Sequence, residues 1–307
     1  MEFVIGGIAA SAAGFLTNPL DVLKTRMQLQ GELRARGQHA VHYKNVFHAA
    51  VVVIQNDGIL GLQKGLSAAV IMHCIRNSVR LGLYQWASNK GFITDANGKT
   101  VFYKSFLISA FSGAAGAFCG SPLFLIKTQL QSQTTKLIAV GHQHGRTGTF
   151  FAIRDIYKEH GIRGMWRGAN GTMLRALVGS SLCSIDFFAM MKDVLDQHTL
   201  FVNSPTLRTL TASIIGGILQ VISMTPFDLV STRLYNQPVD SNGKGVLYKN
   251  IPDCFKKIWT TEGFRGFYKG VTANYMRLGP HGALTLVFWD YLKDLYIRIE
   301  LSKHKQV

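Results

Sequence analysis

The sequence predicts an all-α membrane protein, with six transmembrane helices in three pseudosymmetric two-helix repeats and a short surface helix in each repeat. A proline motif returns about every hundred residues. Its copies run from Pro19 to Arg26, from Pro122 to Gln129 and from Pro226 to Arg233. A second motif keeps the same period, from Asp57 to Gly65, from His160 to Gly168 and from Glu262 to Gly270. Two motifs in one register indicate repeats at residues 1–95, 101–196 and 205–298.

The charge balance at first suggests a nucleic-acid-binding protein, because Lys and Arg neutralise phosphates. The chain has 33 Lys and Arg against 17 Asp and Glu, a formal net charge of +16. However, charged residues make up 16% of the sequence and its mean hydropathy is positive. This combination is typical of a membrane protein rather than a soluble basic protein. We therefore expect no nucleic-acid partner.

Six apolar stretches have roughly the 20 residues that a membrane-spanning helix needs. Three of them carry no charge: Phe3–Leu20, Ser105–Ile126 and Thr209–Phe227. The other three alternate with these and contain arginine: Gly65–Trp86, Gly168–Met191 and Gly270–Tyr291. An even number of spans puts both termini on one side of the membrane.

Each repeat also contains a segment whose apolar and polar residues alternate with the period of a helix. These segments are Asn45–Gln55, Thr149–His160 and Asn250–Thr261. The pattern favours short helices that lie along the membrane surface. The chain enters its first span directly after Glu2, without an arginine-rich leader, so we expect any targeting information to be internal.

The sequence gives little support for metal or catalytic chemistry. Its four cysteines are isolated from one another, which predicts packing roles rather than a disulfide framework or a zinc site. His142 and His144 have a spacing that could hold a metal, but no third ligand is nearby and a solvated loop is favoured. We find no nucleophile elbow, metal triad or phosphate-binding loop, so we expect neither an enzyme nor a bound cofactor.

Arginines inside the spans are the candidate binding residues. Arg175 and Arg277 each lie seven residues after the last glycine of their second motif, and Met72 is the equivalent residue of the first repeat. Arg76 and Arg80 follow Met72 at four-residue steps, on the same helix face. Such a cavity would be strongly positive, and arginine binds carboxylate or sulfate through paired hydrogen bonds. The pattern predicts a site for an anion with two charges.

Structural alternatives stay open for these arginines. Arg76 could instead extend to the membrane surface or pair with Asp186, and Arg80, Arg175 and Arg277 could have structural roles. Other polar residues near the same depth are candidate lining residues: His73, Asn77, Ser181, Asn274 and His281.

The two motifs resemble the signature of the mitochondrial carriers of solute carrier family 25, and the resemblance covers nearly the whole chain. That signature is proline, any residue, acid, two residues and a base, followed by acid-glycine and aromatic-base-glycine. Segments such as 26–32 and 121–128 are most similar to the oxaloacetate and sulfate carriers and their animal relatives. The resemblance implies a monomeric, multi-pass carrier of the mitochondrial inner membrane, with a surface helix of each repeat on the matrix side.

The resemblance also implies a gate on the matrix side, where the acid of one proline helix pairs with the base of the next. In this sequence the rule pairs Asp21 with Lys127 and Asp228 with Lys24. The third pair would join Phe124 to Ser231, so both of its charges are missing together. Gln28 and Gln131 lie one turn beyond the two lysines and are expected to hydrogen-bond the pairs, and Tyr235 occupies the third equivalent position. Acids and bases that merely face solvent are the alternative.

The opposite, cytoplasmic gate is weaker in this sequence. The family's pattern of an aromatic, an acid and a base falls on Gln85 and Ser88 in the first repeat and on Asp290 and Lys293 in the third. In the second repeat it falls on Phe187, Phe188 and Met191, with Asp186 and Lys192 one residue outside the pattern on either side. We therefore predict that the empty carrier rests open to the cytosolic side.

The resemblance narrows the substrate class. Uncharged Ala176 after Arg175 is similar to carriers of keto acids and dicarboxylates, whereas Met72 departs from the arginine of oxoglutarate carriers. The sequence therefore predicts exchange of oxaloacetate, related dicarboxylates or keto acids, and sulfate or thiosulfate, by alternating access. Rival hypotheses are an uncoupling-type anion or proton leak, an enzyme embedded in the membrane, and an adaptor that transports nothing.

Membrane lipid is a second expected partner. Backbone N–H groups at helix starts can hold phosphate groups, and glycines mark these starts in every repeat. The candidate cardiolipin residues are Gly58, Gly65, Gly161, Gly168, Gly263 and Gly270. Turn geometry alone is the alternative explanation for these glycines.

Overall fold

The chain is all-helical wherever the computed structural model describes it, at residues 2–34, 41–95, 100–146, 148–182, 205–240 and 243–304. In these ranges it forms nine α-helices and three short 3₁₀ helices, with no β-strand. The α-helices are α1 (Glu2–Leu29), α2 (Val46–Asp57), α3 (Leu66–Asn89), α4 (Phe102–Ser132), α5 (Thr149–Met165), α6 (Ala169–Leu182), α7 (Pro205–Asn236), α8 (Ile251–Glu262) and α9 (Val271–His304). The prediction of an all-α fold is confirmed.

Six helices form a closed ring in the order α1, α3, α4, α6, α7 and α9, and α9 packs back against α1. The three helices that contain the proline motif, α1, α4 and α7, also contact one another pairwise. Residues at the proline ends of these three helices therefore converge at the centre of the ring.

The proline helices are longer than the uncharged stretches predicted. Pro19, Pro122 and Pro226 lie inside their helices, and each removes one backbone N–H bond to the carbonyl four residues earlier. In α4 the freed carbonyl belongs to Phe118, and the indole Nε1 of Trp166 donates to it at 3.0 Å. Each helix continues past its proline and carries the charged motif residues, so these charges are held on rigid backbone.

The surface helices pack under the proline ends of the ring helices. The side chains of Asn45 and Asn250 cap the N-termini of α2 and α8. Each accepts a hydrogen bond from the backbone N–H three residues later, that of His48 and that of Asp253. The segment Ile59–Asn89 runs at 116° to α2, so α2 lies across the direction of α3. Three buried apolar clusters join these helices to the ring, one around Leu23 and Val53, one around Leu125 and Ile156, and one around Leu229 and Ile258.

Two described helices are long and apolar enough to cross a membrane, α4 and the part Ile214–Asn236 of α7, and a third is added if α2 and Ile59–Asn89 count as one bent span. Charged residues of α1 and α3 lower the apolar character of those helices. Large apolar side chains such as Phe15, Leu107 and Phe111 are exposed on the outside of the ring, as expected for a lipid-facing surface.

Candidate functional site

Two ion pairs join the proline helices at the centre of the ring. Lys127 Nζ donates to Asp21 Oδ2 at 2.7 Å, and Lys24 Nζ pairs with Asp228 Oδ2. All four side chains are at most 5% exposed. These are the two pairs that the repeat register assigns to the gate.

Each of the two carboxylates also holds an arginine of a neighbouring ring helix. Arg277 Nε of α9 contacts Asp21 Oδ1, and Arg175 Nη1 of α6 lies 3.4 Å from Asp228 Oδ1. The sequence placed these arginines in a cavity without matching acids, and this expectation needs correction. The gate acids and the cavity arginines form two equivalent triads: one acid, one lysine and one arginine, each from a different repeat.

The third equivalent triad consists of Phe124, Ser231 and Met72, and it carries no charge. Met72 is 1% exposed, and the Phe124 ring packs on Tyr235 with 5.2 Å between the centroids. The Arg175 guanidinium lies 5.3 Å from the centroid of the Phe124 ring, a cation–π distance. An arginine at position 72 would have no carboxylate in this triad, which accounts for the departure at Met72.

Five of the six triad residues, all except Asp228, line a narrow cavity with a large excess of positive charge. Its other lining residues are Thr25, Met72, Arg76, Phe124, Thr128, Gln131 and Thr232. Four cations share two carboxylates, and Arg76 adds a fifth cation with no ion pair to any described acid. The cluster therefore holds three positive charges that no described acid neutralises. Asp186, the alternative partner for Arg76, lies outside the described residues, as does Lys192.

Two other predicted binding residues do not line this cavity. Arg80 lies one turn beyond Arg76 on α3, where its Cβ packs against Gly116 of α4, and both Arg80 and Ala176 are partly buried. Arg80 was placed by its four-residue spacing and Ala176 by the family resemblance, and neither fixes how deep a residue lies relative to a closed gate.

The two glutamines beyond the lysines differ in their contacts. Gln28 Nε2 donates to Asp228 Oδ2 at 3.2 Å, as expected. Gln131 does not bond its ion pair, because its amide is taken up by α1: Thr25 Oγ1 donates to it at 3.0 Å, and it donates to Asn18 Oδ1 at 3.1 Å. At the third position the Tyr235 hydroxyl lies 2.8 Å from both Ser121 and Thr172.

The residues assigned to the opposite gate are not joined in the described structure. Asp290 and Lys293 are exposed, Ser88 is partly buried, and Gln85 Nε2 donates to Asn89 Oδ1 at 3.0 Å within its own helix. Neither Asp290 nor Lys293 forms an ion pair with a described residue. The described ion pairs between ring helices therefore lie at the proline end.

All six candidate lipid glycines have positive φ values between 62° and 81°. Gly65, Gly168 and Gly270 pack against Gln131, Tyr235 and Gln28, where an added Cβ would lie 3.1–3.2 Å from a side-chain carbon. The earlier glycine of each motif has nothing within 4 Å of that point. Turn geometry thus explains why glycine is needed at all six positions, and the first glycine of each motif leaves open space.

Sequence reasoning missed a second set of buried ion pairs, which fastens the surface segments to the proline helices. Arg26 Nη2 lies 2.8 Å from Asp57 Oδ2, and Lys64 Nζ lies 3.2 Å from the same oxygen. Burial would raise the pKa of Asp57, but the Thr134 hydroxyl and Arg26 hold it below its ordinary value.

The third repeat has the same clamp. Arg233 donates to both oxygens of Glu262 at 2.5 and 2.9 Å, and Lys269 Nζ lies 2.6 Å from Oε2. In the second repeat the equivalent residues are Gln129, His160 and Arg167. Arginine and acid are lost there together, and this joint loss is the sequence signal that could have revealed the clamp.

The ring of helices, its lipid-facing outer surface and the buried charge cluster on its axis together define an integral membrane carrier. The family model "Mitochondrial carrier protein" matches residues 1–92, 98–198 and 202–300. The chain belongs to the mitochondrial carrier family, whose members are transporters rather than enzymes, and it is a multi-pass protein of the mitochondrial inner membrane.

Relatives match over nearly their whole length. Solute carrier family 25 member 35 of Homo sapiens is 46% identical over 298 residues, which cover 96% of this chain and 98% of the relative. The mitochondrial oxaloacetate transport protein of Saccharomyces cerevisiae is 40% identical over 306 residues, 97% of this chain and 90% of the relative. Mitochondrial citrate transporter E of Aspergillus niger is 36% identical over 302 residues, which cover 97% of this chain and 94% of the relative.

Proposed function

We propose that this carrier exchanges small dianions across the inner membrane by alternating access. The substrates would be oxaloacetate, related dicarboxylates or keto acids, and sulfate or thiosulfate. The observation that carries the proposal is a cluster of five cations around one cavity. Four of them are buried and share two carboxylates, and the fifth, partly buried Arg76, has no ion pair to a described acid.

A dianion supplies the charge that the empty cluster lacks. Uncompensated buried charges are costly, and a bound dianion would neutralise two of the three excess charges. Arg76, Arg175 and Arg277 present planar guanidinium groups, which bind carboxylate or sulfate oxygens through paired hydrogen bonds. A neutral or cationic substrate would leave the whole excess in place.

The shared carboxylates give a physical route from binding to opening. Each aspartate holds a lysine through Oδ2 and an arginine through Oδ1. A dianion that binds Arg175 and Arg277 competes with these carboxylates and weakens the triads that hold α1, α4 and α7 together. Without substrate, opening would separate buried charges with no replacement, so exchange rather than net transport is expected.

The remaining site assignments complete the proposal. Asp21, Lys24, Lys127 and Asp228 form the matrix gate. Gln28 braces Asp228, and Gln131 joins α4 to α1 beside the gate. Gln85, Ser88, Asp290 and Lys293 form a weak cytoplasmic gate. The empty carrier then rests open to the cytosol. The six motif glycines would approach cardiolipin phosphates. The three repeats would span residues 1–95, 101–196 and 205–298. The carrier would act as a monomer. The name of the Saccharomyces cerevisiae relative, an oxaloacetate transport protein, favours oxaloacetate as a first test substrate.

The test is an uptake screen in reconstituted vesicles loaded with unlabelled anion. Labelled oxaloacetate, malate, sulfate and thiosulfate are compared with a monocarboxylate, a neutral amino acid and citrate. We expect rapid uptake of dianions that requires internal anion. Uptake of no dianion would refute the proposal. Anion-activated proton conductance without labelled exchange would instead support the uncoupling-type leak, and preferred uptake of citrate would reassign the substrate to tricarboxylates.

A further inference from the structure

Two histidines beside the cavity have no part in the exchange mechanism. His73 follows Met72 in α3, and His281 lies one turn after Arg277 in α9. Their ring centroids are 4.8 Å apart. His73 is 1% exposed, and neither of its ring nitrogens has a hydrogen-bond partner in the described part of the chain. A buried polar group without a partner is costly and calls for an explanation.

The contacts of His281 determine which of its nitrogens is basic. His281 Nδ1 lies 3.1 Å from Thr17 Oγ1, while the Thr17 hydroxyl donates to the Ala13 carbonyl at 2.9 Å. Because the hydroxyl hydrogen is already used, Thr17 accepts and His281 Nδ1 carries the hydrogen. Nε2 of His281 is then the nitrogen with a lone pair. His281 is partly exposed, so a proton can reach it from water, whereas the ring of His73 is buried.

We propose that the His73–His281 pair is a proton-binding site and that the carrier binds one proton together with each dianion. This inference rests on the proposed dianion exchange. The proton comes from water on the side from which the anion enters. It binds to the lone pair of an imidazole nitrogen, and no covalent bond of the protein is broken. It returns to water on the other side of the membrane. A proton held between the two rings gives His73 the partner that it lacks.

The charges around the pair couple the proton to the anion. The charged groups that act on the two rings are Asp21 of α1, Arg76 of α3, Lys127 of α4 and Arg277 of α9. Three of these groups are cations and one is an acid, so the charges nearest to the pair are mostly positive when no anion is bound. Two negative charges about 10 Å away raise the proton affinity on the order of a hundredfold at an effective dielectric of ~20. By linkage, the proton raises the affinity for the dianion by the same factor.

Calorimetric titration of the purified full-length carrier tests the proposal. Oxaloacetate, and separately sulfate, is titrated at pH 7 in two buffers of different ionisation enthalpy, so that the difference in heat counts the protons taken up. Sulfate carries no proton at this pH, so any proton must bind to the protein. We expect uptake approaching one proton per bound dianion. Binding with equal heats in both buffers would overturn the proton site alone, whereas binding of neither anion would overturn both proposals.

Variants then locate the proton. His73→Gln and His281→Gln remove one titratable ring each and keep a polar side chain. Both should take up no proton and should bind the dianion more weakly, by up to about the hundredfold linkage factor. His142→Gln is the matched control, because His142 is exposed outside the helix ring; it should behave as the wild type. Proton uptake that persists in both His73→Gln and His281→Gln would contradict the assignment. If either variant fails to fold, the wild-type measurement still decides whether a proton is bound.

Discussion

Neutralising Asp228 is the sharpest test of the charge cluster. Its carboxylate is 0% exposed and contacts Lys24, Arg175 and Gln28. Asp228→Asn keeps the shape of the side chain but leaves two buried cations without their carboxylate. Removing one partner of a buried ion pair costs about 3–5 kcal/mol. At an unfolding entropy of about 2.1 cal/mol/K per residue, a chain of 307 residues loses about 1.5 °C per kcal/mol, so the melting temperature should fall by roughly 5–8 °C.

The assay is thermal unfolding in detergent, followed by intrinsic fluorescence and compared with Asp294→Asn. Asp294 is exposed on α9, and removing a solvent-exposed charge typically changes stability by less than about 1 kcal/mol. The two variants lose the same charge and differ in burial. If they melt within about 2 °C of each other, Asp228 does not neutralise Lys24 and Arg175, and the reasoning from the triads is refuted.

Three further substitutions test local features. Burial raises the pKa of Glu32 above its ordinary 4.5, so its ionised form destabilises the fold as pH rises through that raised value. Glu32→Gln should therefore melt at a higher temperature than wild type at pH 8 and at the same temperature at pH 4. A lower melting temperature of the variant at pH 8 would contradict this. Gly270→Ala should lower the melting temperature in the same unfolding assay. Its φ of 75° is left-handed, which costs a residue with a side chain about 1–2 kcal/mol, and the added Cβ would lie 3.2 Å from Gln28 Cγ. An unchanged melting temperature would exclude both strain and tight packing there. Trp166→Phe removes the donor to the Phe118 carbonyl and should cost about 0.5–1.5 kcal/mol by thermal unfolding, and an unchanged melting temperature would argue against this cap.

Much of the fold could be predicted because the sequence states it three times. The proline register places Asp21, Lys127, Lys24 and Asp228 at one level of three converging helices, and the missing third pair loses both charges at once. The helix ends were less predictable. In the sequence, the first charged residue marks the end of an apolar stretch. The helices α1, α4 and α7 nevertheless continue past these charged residues, because the charged side chains are buried against one another rather than solvated.

The sharing of Asp21 and Asp228 with the arginines was not visible to the same reasoning. A spacing of seven residues places Arg175 and Arg277 on the correct helix face, but the depth of that face relative to the gate depends on how the helices pack. One signal was present: Met72 replaces the arginine in the same triad where Phe124 replaces the acid. Loss of all charges in one triad indicates that acid, lysine and arginine form a single unit.

Exchange of labelled dianion by arginine variants tests the central claim most directly. Vesicles that contain wild type, Arg277→Ala or Arg277→Lys are loaded with the dianion that the uptake screen identifies, and initial exchange rates are compared at equal amounts of folded protein. The account predicts that Arg277→Ala loses at least about 90% of exchange, since removing a charged hydrogen bond costs about 1.5–3 kcal/mol, and that Arg277→Lys keeps part of it. Exchange by Arg277→Ala at the wild-type rate would contradict the claim that this arginine binds the anion.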